Sequence, residues 1–288
     1  MRYIINAIND TYISCMLPAI PHTNKQLQAG IKLHEYIEKE EDETMDFELD
    51  VHTHTLASGH AYGTITEMAR AAKDLGLKLL GITDHAHNMP GTCNDLYFVN
   101  LRIVPREMFG VKLMLGTELN IMDYEGTIDL PDWILDRLDL RIASIHGNLY
   151  KIGTISQNTA AVVAAMKNPK IDIIGHPDDS NCPLDYEQVV CASKKYHTLI
   201  EINNNSLRAP ARRNVKENIT KILKLCEKYD VPVIMNSDAH YMTDLANTDH
   251  SMPVIEETGF PKELILNYSM KKFEEYIAEN RKREHIIR

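Results

Sequence analysis

The sequence predicts an α/β fold, either a βα barrel or an open doubly wound sheet, and two observations carry that prediction. From about residue 46, seven short apolar runs alternate with stretches of helical period. The runs are continuously apolar, as expected for parallel strands covered on both faces. The length of 288 residues is long for an ordinary domain and normal for one α/β barrel.

The candidate strands are Phe47–Val51, Lys78–Thr83, Lys112–Thr117, Leu140–Ile145, Ile171–Gly175, Thr198–Asn203 and Val231–Asn236. The clearest helix runs from Thr64 to Gly76. Thr64 and Glu67 have the spacing of a capping box, and Ile65, Met68, Ala69, Ala72 and Leu75 form one apolar stripe. Gly76 suits the left-handed position after the last turn. A second helix spans about 213 to 229, with Val215, Ile219, Ile222, Leu223 and Cys226 on one face. Residues 270–288 mix Lys, Glu and Arg at helical spacing and read as a solvated helix on the exterior.

Residues 1–45 differ: they contain no clear strand-helix unit and end in an acidic run, Glu38 to Glu43. They are expected to be an N-terminal extension, poorly ordered or not translated at all, with a start at Met45. Residues 46–288 are expected to be one domain.

Charge and composition exclude several functions. The formal net charge is −10, so electrostatic steering of nucleic acid is not expected. No apolar run reaches the length of a membrane span, and the N-terminus lacks the pattern of a signal peptide. The five cysteines form no C-x-x-C pair and are odd in number, which favours reduced thiols in a cytoplasm. A homo-oligomer is compatible with the sequence.

The chemistry lies in where the 13 histidines fall. His52 and His54 end the first strand, two apart, and so face one way. His85 follows the second strand, Glu118 the third, His146 the fourth and His176 the fifth; Asp238 and His240 follow the last. In βα barrels the C-terminal strand ends converge on one face, so these groups are delivered to one rim. His60, in a loop before a helix, is a further candidate. His87 reads as a loop residue near the site. Imidazole and carboxylate without thiolate suit zinc, iron or manganese. The set exceeds the needs of one ion, and two or three are implied; Glu118 has two oxygens and could bridge. Such centres carry out hydrolysis, most naturally at phosphorus. Asp50 and Asp84 sit beside ligand histidines and are expected to accept hydrogen bonds from ring N–H groups. Arg102 and Arg106 are candidates for gripping phosphate, with Arg208, Arg212 and Arg213 as a second group.

The motifs Asp50-Val51-His52-Thr53-His54, Ala57-Ser58-Gly59-His60-Ala61-Tyr62, Ile82-Thr83-Asp84-His85, Gly116-Thr117-Glu118-Leu119-Asn120-Ile121, His146, Gly175-His176-Pro177, Glu201-Ile202-Asn203-Asn204 and Ser237-Asp238-Ala239-His240 occur in family order. On these residues, from about 46 to 275, the sequence resembles the PHP (polymerase and histidinol phosphatase) superfamily, most of all its YcdX-type phosphatases. The resemblance implies a distorted seven-stranded βα barrel with three divalent ions, zinc first, with manganese or iron as alternatives. It implies that His52, His54, Glu118 and Asp238 hold one ion, His60, His85 and His240 a second, and Glu118, His146 and His176 a third. The implied activity is hydrolysis of small phosphorylated metabolites by a metal-bound hydroxide, as a phosphoric monoester hydrolase. A histidinol-phosphate phosphatase shares this site. A nuclease of the superfamily and a non-catalytic metal-binding scaffold are weaker alternatives.

Overall fold

Parallel strands with crossover connections organise the chain, as the apolar runs predict. The structure, a computed structural model, describes residues 47–287. The extension over residues 1–45 and the start at Met45 lie outside the described residues.

The strands are β1 (Leu49–Asp50), β2 (Leu79–Ile82), β3 (Glu107–Met108), β4 (Val111–Leu115), β5 (Thr117–Asn120), β6 (Arg141–Ser144), β7 (Ile173–Ile174), β8 (Leu199–Asn203) and β9 (Val233–Asn236). They form a 4-stranded sheet, β1-β2-β4-β3, and a 5-stranded sheet, β5-β6-β7-β8-β9. Every pairing is parallel except β3 with β4. That hairpin turns at Phe109 and Gly110, both at positive φ (56° and 81°), and the apolar pattern did not predict it.

One predicted strand, Lys112–Thr117, is two: β4 pairs with β2, and β5 pairs with β6. The break is Gly116, where an added Cβ would lie 2.1 Å from the Leu140 carbonyl oxygen. Only glycine lets the chain pass from one sheet to the next at that approach. Isolated parallel bridges, His85 with Glu118 and Thr53 with Ala239, tie the two sheets together at two places.

The helices are α1 (Ile65–Asp74), α2 (Asp95–Asn100), α3 (Asp132–Leu135), α4 (Ile155–Lys167), α5 (Tyr186–Tyr196), α6 (Asn204–Arg208), α7 (Val215–Tyr229), α8 (Ser251–Thr258) and α9 (Met270–Ile287). The Thr64 and Glu67 capping box starts α1, which buries Met68, Ala69 and Ala72. Helix α7 buries Val215, Ile219, Ile222, Leu223 and Cys226.

Helix α9 corrects the expectation of a solvated exterior helix. Phe273 and Ile277 enter the same core cluster as Leu49, Leu79, Ile142 and Ile234. With Asn280 they stand at i, i+4 and i+7, one face of the helix, and all three are buried.

A charged network anchors α9. Asp172, which precedes β7, accepts from Arg281 Nη1 at 2.6 Å and Asn280 Nδ2 at 2.9 Å. It also lies 3.2 Å from the Nε of buried Arg141. Burial alone would raise the Asp172 carboxyl, but Arg141 and Arg281 hold it below the usual carboxylate range. A depressed folded pKa contributes stability that is present above the unfolded value of about 4 and lost as pH falls through the folded one. Asp172→Asn is therefore expected to cost about 3–5 kcal/mol at neutral pH, because it removes the buried counter-charge of Arg141 and Arg281, which keep their carbonyl acceptors. Thermal unfolding of variant and wild type should differ at pH 7 and converge in acid; equal melting temperatures at pH 7 would refute the pairing.

Candidate metal centre

The cluster grows out of the C-terminal ends of the parallel strands. Glu118, in β5, is 1% exposed and stands at its middle. Its Oε2 faces His85 Nδ1 at 2.8 Å, His52 Nε2 at 3.3 Å and His54 Nε2 at 3.5 Å. Its Oε1 faces His176 Nε2 at 2.9 Å and His146 Nε2 at 3.3 Å. Asp238 Oδ1 lies 3.1 Å from His54 Nε2, 3.7 Å from His52 Nε2 and 3.6 Å from His240 Nδ1. The exposed His60 ring is 4.8 Å from that of His240 and 5.0 Å from that of His85. Its loop is held by a close approach: a Cβ on Gly59 would meet the Gly91 carbonyl oxygen at 2.1 Å. The structure thus brings together all nine residues that the family resemblance marks as ligands.

Three groups have donor atoms within 4.8 Å of one another: His52, His54 and Asp238; His54, His85 and His240; and His85, Glu118 and His146. The first falls inside the set implied by the resemblance. The other two interleave those sets, because His54 and His85 each border two groups.

The residues fit metal. His52 Nε2, His54 Nε2, His85 Nδ1 and Glu118 Oε2 are buried with no hydrogen-bond partner. Orphaned polar atoms this deep are costly, and cations bound among them would satisfy all four. Charge agrees. Burial opposes ionisation of Glu118, yet His85, His52 and His146 hold its carboxyl well below the usual range. Burial, together with neighbouring His85, keeps His54 well below the usual imidazole range, so its lone pair is free. Burial also works against a charge on His52, but Glu201, Glu118 and Asp238 outweigh it and raise its pKa. The carboxylates call for positive charge, which a proton or a metal ion supplies. His176 (φ 29°) and Asp238 (φ 55°) adopt left-handed backbone that non-glycine residues rarely hold, a strain that concentrates at functional sites.

Outer hydrogen bonds aim the rings. His52 Nδ1 donates to Glu201 Oε1 at 2.7 Å, leaving Nε2 for the cluster. His54 Nδ1 donates to Ser58 Oγ at 3.0 Å, and Ser58 in turn donates to Asp84 Oδ1 at 2.7 Å. His146 Nδ1 is 2.7 Å from Asn120 Oδ1, and Asn120 donates to Asp129. These contacts fix which ring nitrogen meets a metal.

Asp50 and Asp84 need correcting, since neither accepts from a ring. Asp50 takes the Ser237 hydroxyl, the Ser237 N–H at 3.3 Å and the Ala246 N–H at 2.9 Å, so it fastens β1 to the loop after β9. Asp84 takes the Thr55 N–H at 2.6 Å and the hydroxyls of Thr55, Ser58 and Tyr97, and reaches His54 only through Ser58. Their oxygens are already filled by backbone and hydroxyl donors. The ring-binding carboxylate is Glu201, whose signal was a lone glutamate inside an apolar strand, a buried charge that demands partners. Ser58 and Tyr97 gave no such signal. Glu201→Gln is expected to weaken metal binding about 10- to 100-fold, measured by competition with a chromophoric chelator. Unchanged affinity would mean that Glu201 only fills space.

The arginines also divide. Arg106 is not at the cluster: its Nη1 donates to the Leu101 and Val104 carbonyls and its Nε is 2.6 Å from Asp139, which precedes β6 at the strand end away from His146. Arg102 is exposed on the 3-10 turn Leu101–Ile103. Arg208 pairs with Asp244 at 3.0 Å. Arg212 does approach: it donates to Ser206, lies 3.5 Å from Asp178 Oδ1, and lines a cavity with His146 and His176. His87 lies outside the cluster, paired with Asp95 at 2.6 Å.

Known proteins resemble this chain in sequence and in fold. A probable phosphatase of Caldicellulosiruptor saccharolyticus is 48% identical over 233 residues, 81% of this chain and 97% of that protein. Another, from Clostridium novyi, is 42% identical over 243 residues, 84% of this chain and 99% of that one. The histidinol phosphate phosphatase of Lactococcus lactis, solved with zinc, L-histidinol and phosphate, superposes with a TM-score of 0.53. It covers 74% of this chain and 94% of that one at 15% identity, a likeness of fold. The family model for the PHP domain matches residues 50–284, from the aspartate beside the first histidine pair into the last helix, and the chain belongs to that family.

Proposed function

We propose that this chain is a metal-dependent phosphatase that hydrolyses small phosphate monoesters with three divalent ions, zinc foremost. The observation that carries the reading is Glu118, whose two oxygens each face a separate group of imidazoles amid unpartnered buried donors. The relatives described as probable phosphatases support it. The all-nitrogen-and-oxygen donor set supports zinc, with manganese or iron tolerated. We assign one ion to His52, His54, Glu118 and Asp238, a second to His60, His85 and His240, and a third to Glu118, His146 and His176. We also read the sheets as one distorted seven-stranded barrel, with β4 and β5 as a single strand bent at Gly116; the bridges at both seams support that reading.

When bound, the ions supply positive charge to the phosphate oxygens and acidify a water as nucleophile. The chain's own residues do the rest. Glu201, Ser58 with Asp84, and Asn120 with Asp129 hold the ring tautomers, so the donors need not reorganise during reaction. Arg212, steadied by Ser206 and Asp178, is the cation we assign to the phosphate in preference to Arg102 and Arg106. We read the substrate as a small molecule, because the net charge of −10 disfavours nucleic acid.

The test compares p-nitrophenyl phosphate with its bis ester, with and without chelator. Turnover of the monoester, lost on chelation, is expected; preference for the diester would favour a nuclease, and no turnover of either a scaffold. Arg212→Met should lower kcat/KM for the monoester about 10- to 100-fold, the worth of a hydrogen bond to a charged group.

A further inference from the structure

Beside His146 and His176 lies a cavity of about 200 Å³. It sits between the ends of β5, β6 and β7, under the loops that lead into α4 and α5. Its wall is largely aliphatic: Ile121, Ile145, Ile152, Val162, Ile174 and Leu184. Ile121, Val162 and Ile174 are buried core residues, so the wall is built into the fold.

Asn148 makes only a weak 3.7 Å contact to the Met89 sulfur and can still bond a ligand, but the other polar side chains of the far wall are committed elsewhere. Asn181 gives its side-chain N–H groups to Asp179 at 3.3 Å and to the Ala211 carbonyl at 2.8 Å. Asp179 accepts the backbone N–H of Asn181 at 2.9 Å and of Arg213 at 3.0 Å. Burial and the nearby Asp179 push the Cys182 thiol up to about 12, so the thiol itself is neutral. The lining cation, Arg212, lies within electrostatic reach of His176. A polyol here would exchange water for a wall with few free partners, and an unpaired hydroxyl is costly. An ammonium group would face Arg212, and the Asp179 carboxylate that could offset it is already taken by backbone and amide N–H groups. An apolar body would lose nothing and would leave water.

Size narrows the class. An apolar cavity of about 150 Å³ holds one benzene molecule. The space here therefore suits one ring with a short stem, and is too small for a nucleoside or a disaccharide.

We propose that this cavity receives the leaving group, and that the preferred substrates are phosphate monoesters of compact alcohols with an uncharged, apolar body about the size of one aromatic ring. This rests on the phosphatase reading and sharpens it. The phosphate lies toward His146, His176 and Arg212, and the carbon body lies toward Ile152 and Leu184. Ile152, 38% exposed in the loop before α4, guards the mouth and can be changed without opening the core.

The metal-loaded full chain is compared on benzyl phosphate, glycerol 3-phosphate, phosphoethanolamine and glucose 6-phosphate. Benzyl phosphate is expected to exceed each of the others in kcat/KM by at least about tenfold. Ile152→Asp should reduce the benzyl-to-glycerol ratio by a similar factor. Binding gives a second readout, since benzylphosphonate should raise the melting temperature more than methylphosphonate in the wild type, with that difference shrinking in Ile152→Asp. Equal turnover of benzyl and glycerol esters, or equal thermal shifts from the two phosphonates, overturns the proposal. Absence of turnover on every ester would remove the phosphatase reading alone, because the phosphonate comparison still decides what the cavity accepts.

Discussion

Glu118→Gln is expected to strip bound metal and to lower kcat on the order of 10³-fold, the upper range for removing one preorganised electrostatic contact. The substitution keeps volume and shape but removes the charge that five imidazoles surround. It also turns one acceptor into a donor. If the amide nitrogen takes the Oε2 position, it confronts His85, His52 and His54, whose nearest nitrogen is now 2.8 Å away. If it takes the Oε1 position, it confronts His176 at 2.9 Å and His146 at 3.3 Å. Neither orientation leaves both groups of imidazoles a common carboxylate. Elemental analysis of purified variant and wild type, with kcat measured on the same samples, checks this. Full metal content with wild-type turnover would show that the carboxylate holds no ion.

Removal of metal from the wild type should be at least as severe. A chelator is expected to abolish turnover and to lower the melting temperature by about 10 °C. Ions at a thousandfold excess over their dissociation constant stabilise by about 4 kcal/mol, and in a domain of this size each kcal/mol is worth about 2–4 °C. The physical source is the set of four buried atoms, which face one another and Asp238 without forming a hydrogen bond and are too deep for water to reach freely. Zinc or manganese added back should restore both properties. An apo protein with the same melting temperature as the holo protein would mean that the cluster is satisfied without ions.

Much of the centre is legible in the chain because strand period is a local property. Histidines and carboxylates that follow successive apolar runs must arrive at one edge if the strands are parallel, whether the sheets close or stay open. The same local logic found α1 from the Thr64 and Glu67 pair and α7 from its stripe. Local logic failed where composition masked position. The Lys- and Glu-rich segment after Met270 reads as solvated, yet Phe273, Ile277 and Asn280 line one face that closes the core. Arg106 resembles a phosphate ligand in sequence, but its guanidinium is taken by Asp139 and two carbonyls at the other end of the strands.

Outer contacts were the least legible part. His52 and Glu201 are 149 residues apart in sequence, and Asp50 and Ser237 are 187 apart. No spacing rule links such pairs; the bridge between Thr53 and Ala239 and the path of β8 bring them together. The sequence by itself determined the donor types, their delivery by strand ends and the family. Only the tertiary structure decided which ring nitrogen each neighbour holds, that Glu201 and Ser58 do the holding rather than Asp50, and that Arg212 lies beside the histidines. The reason is physical: a residue's chemistry and its place on a strand travel with the chain, whereas a hydrogen bond about 2.7–3.0 Å long exists only once distant segments have packed.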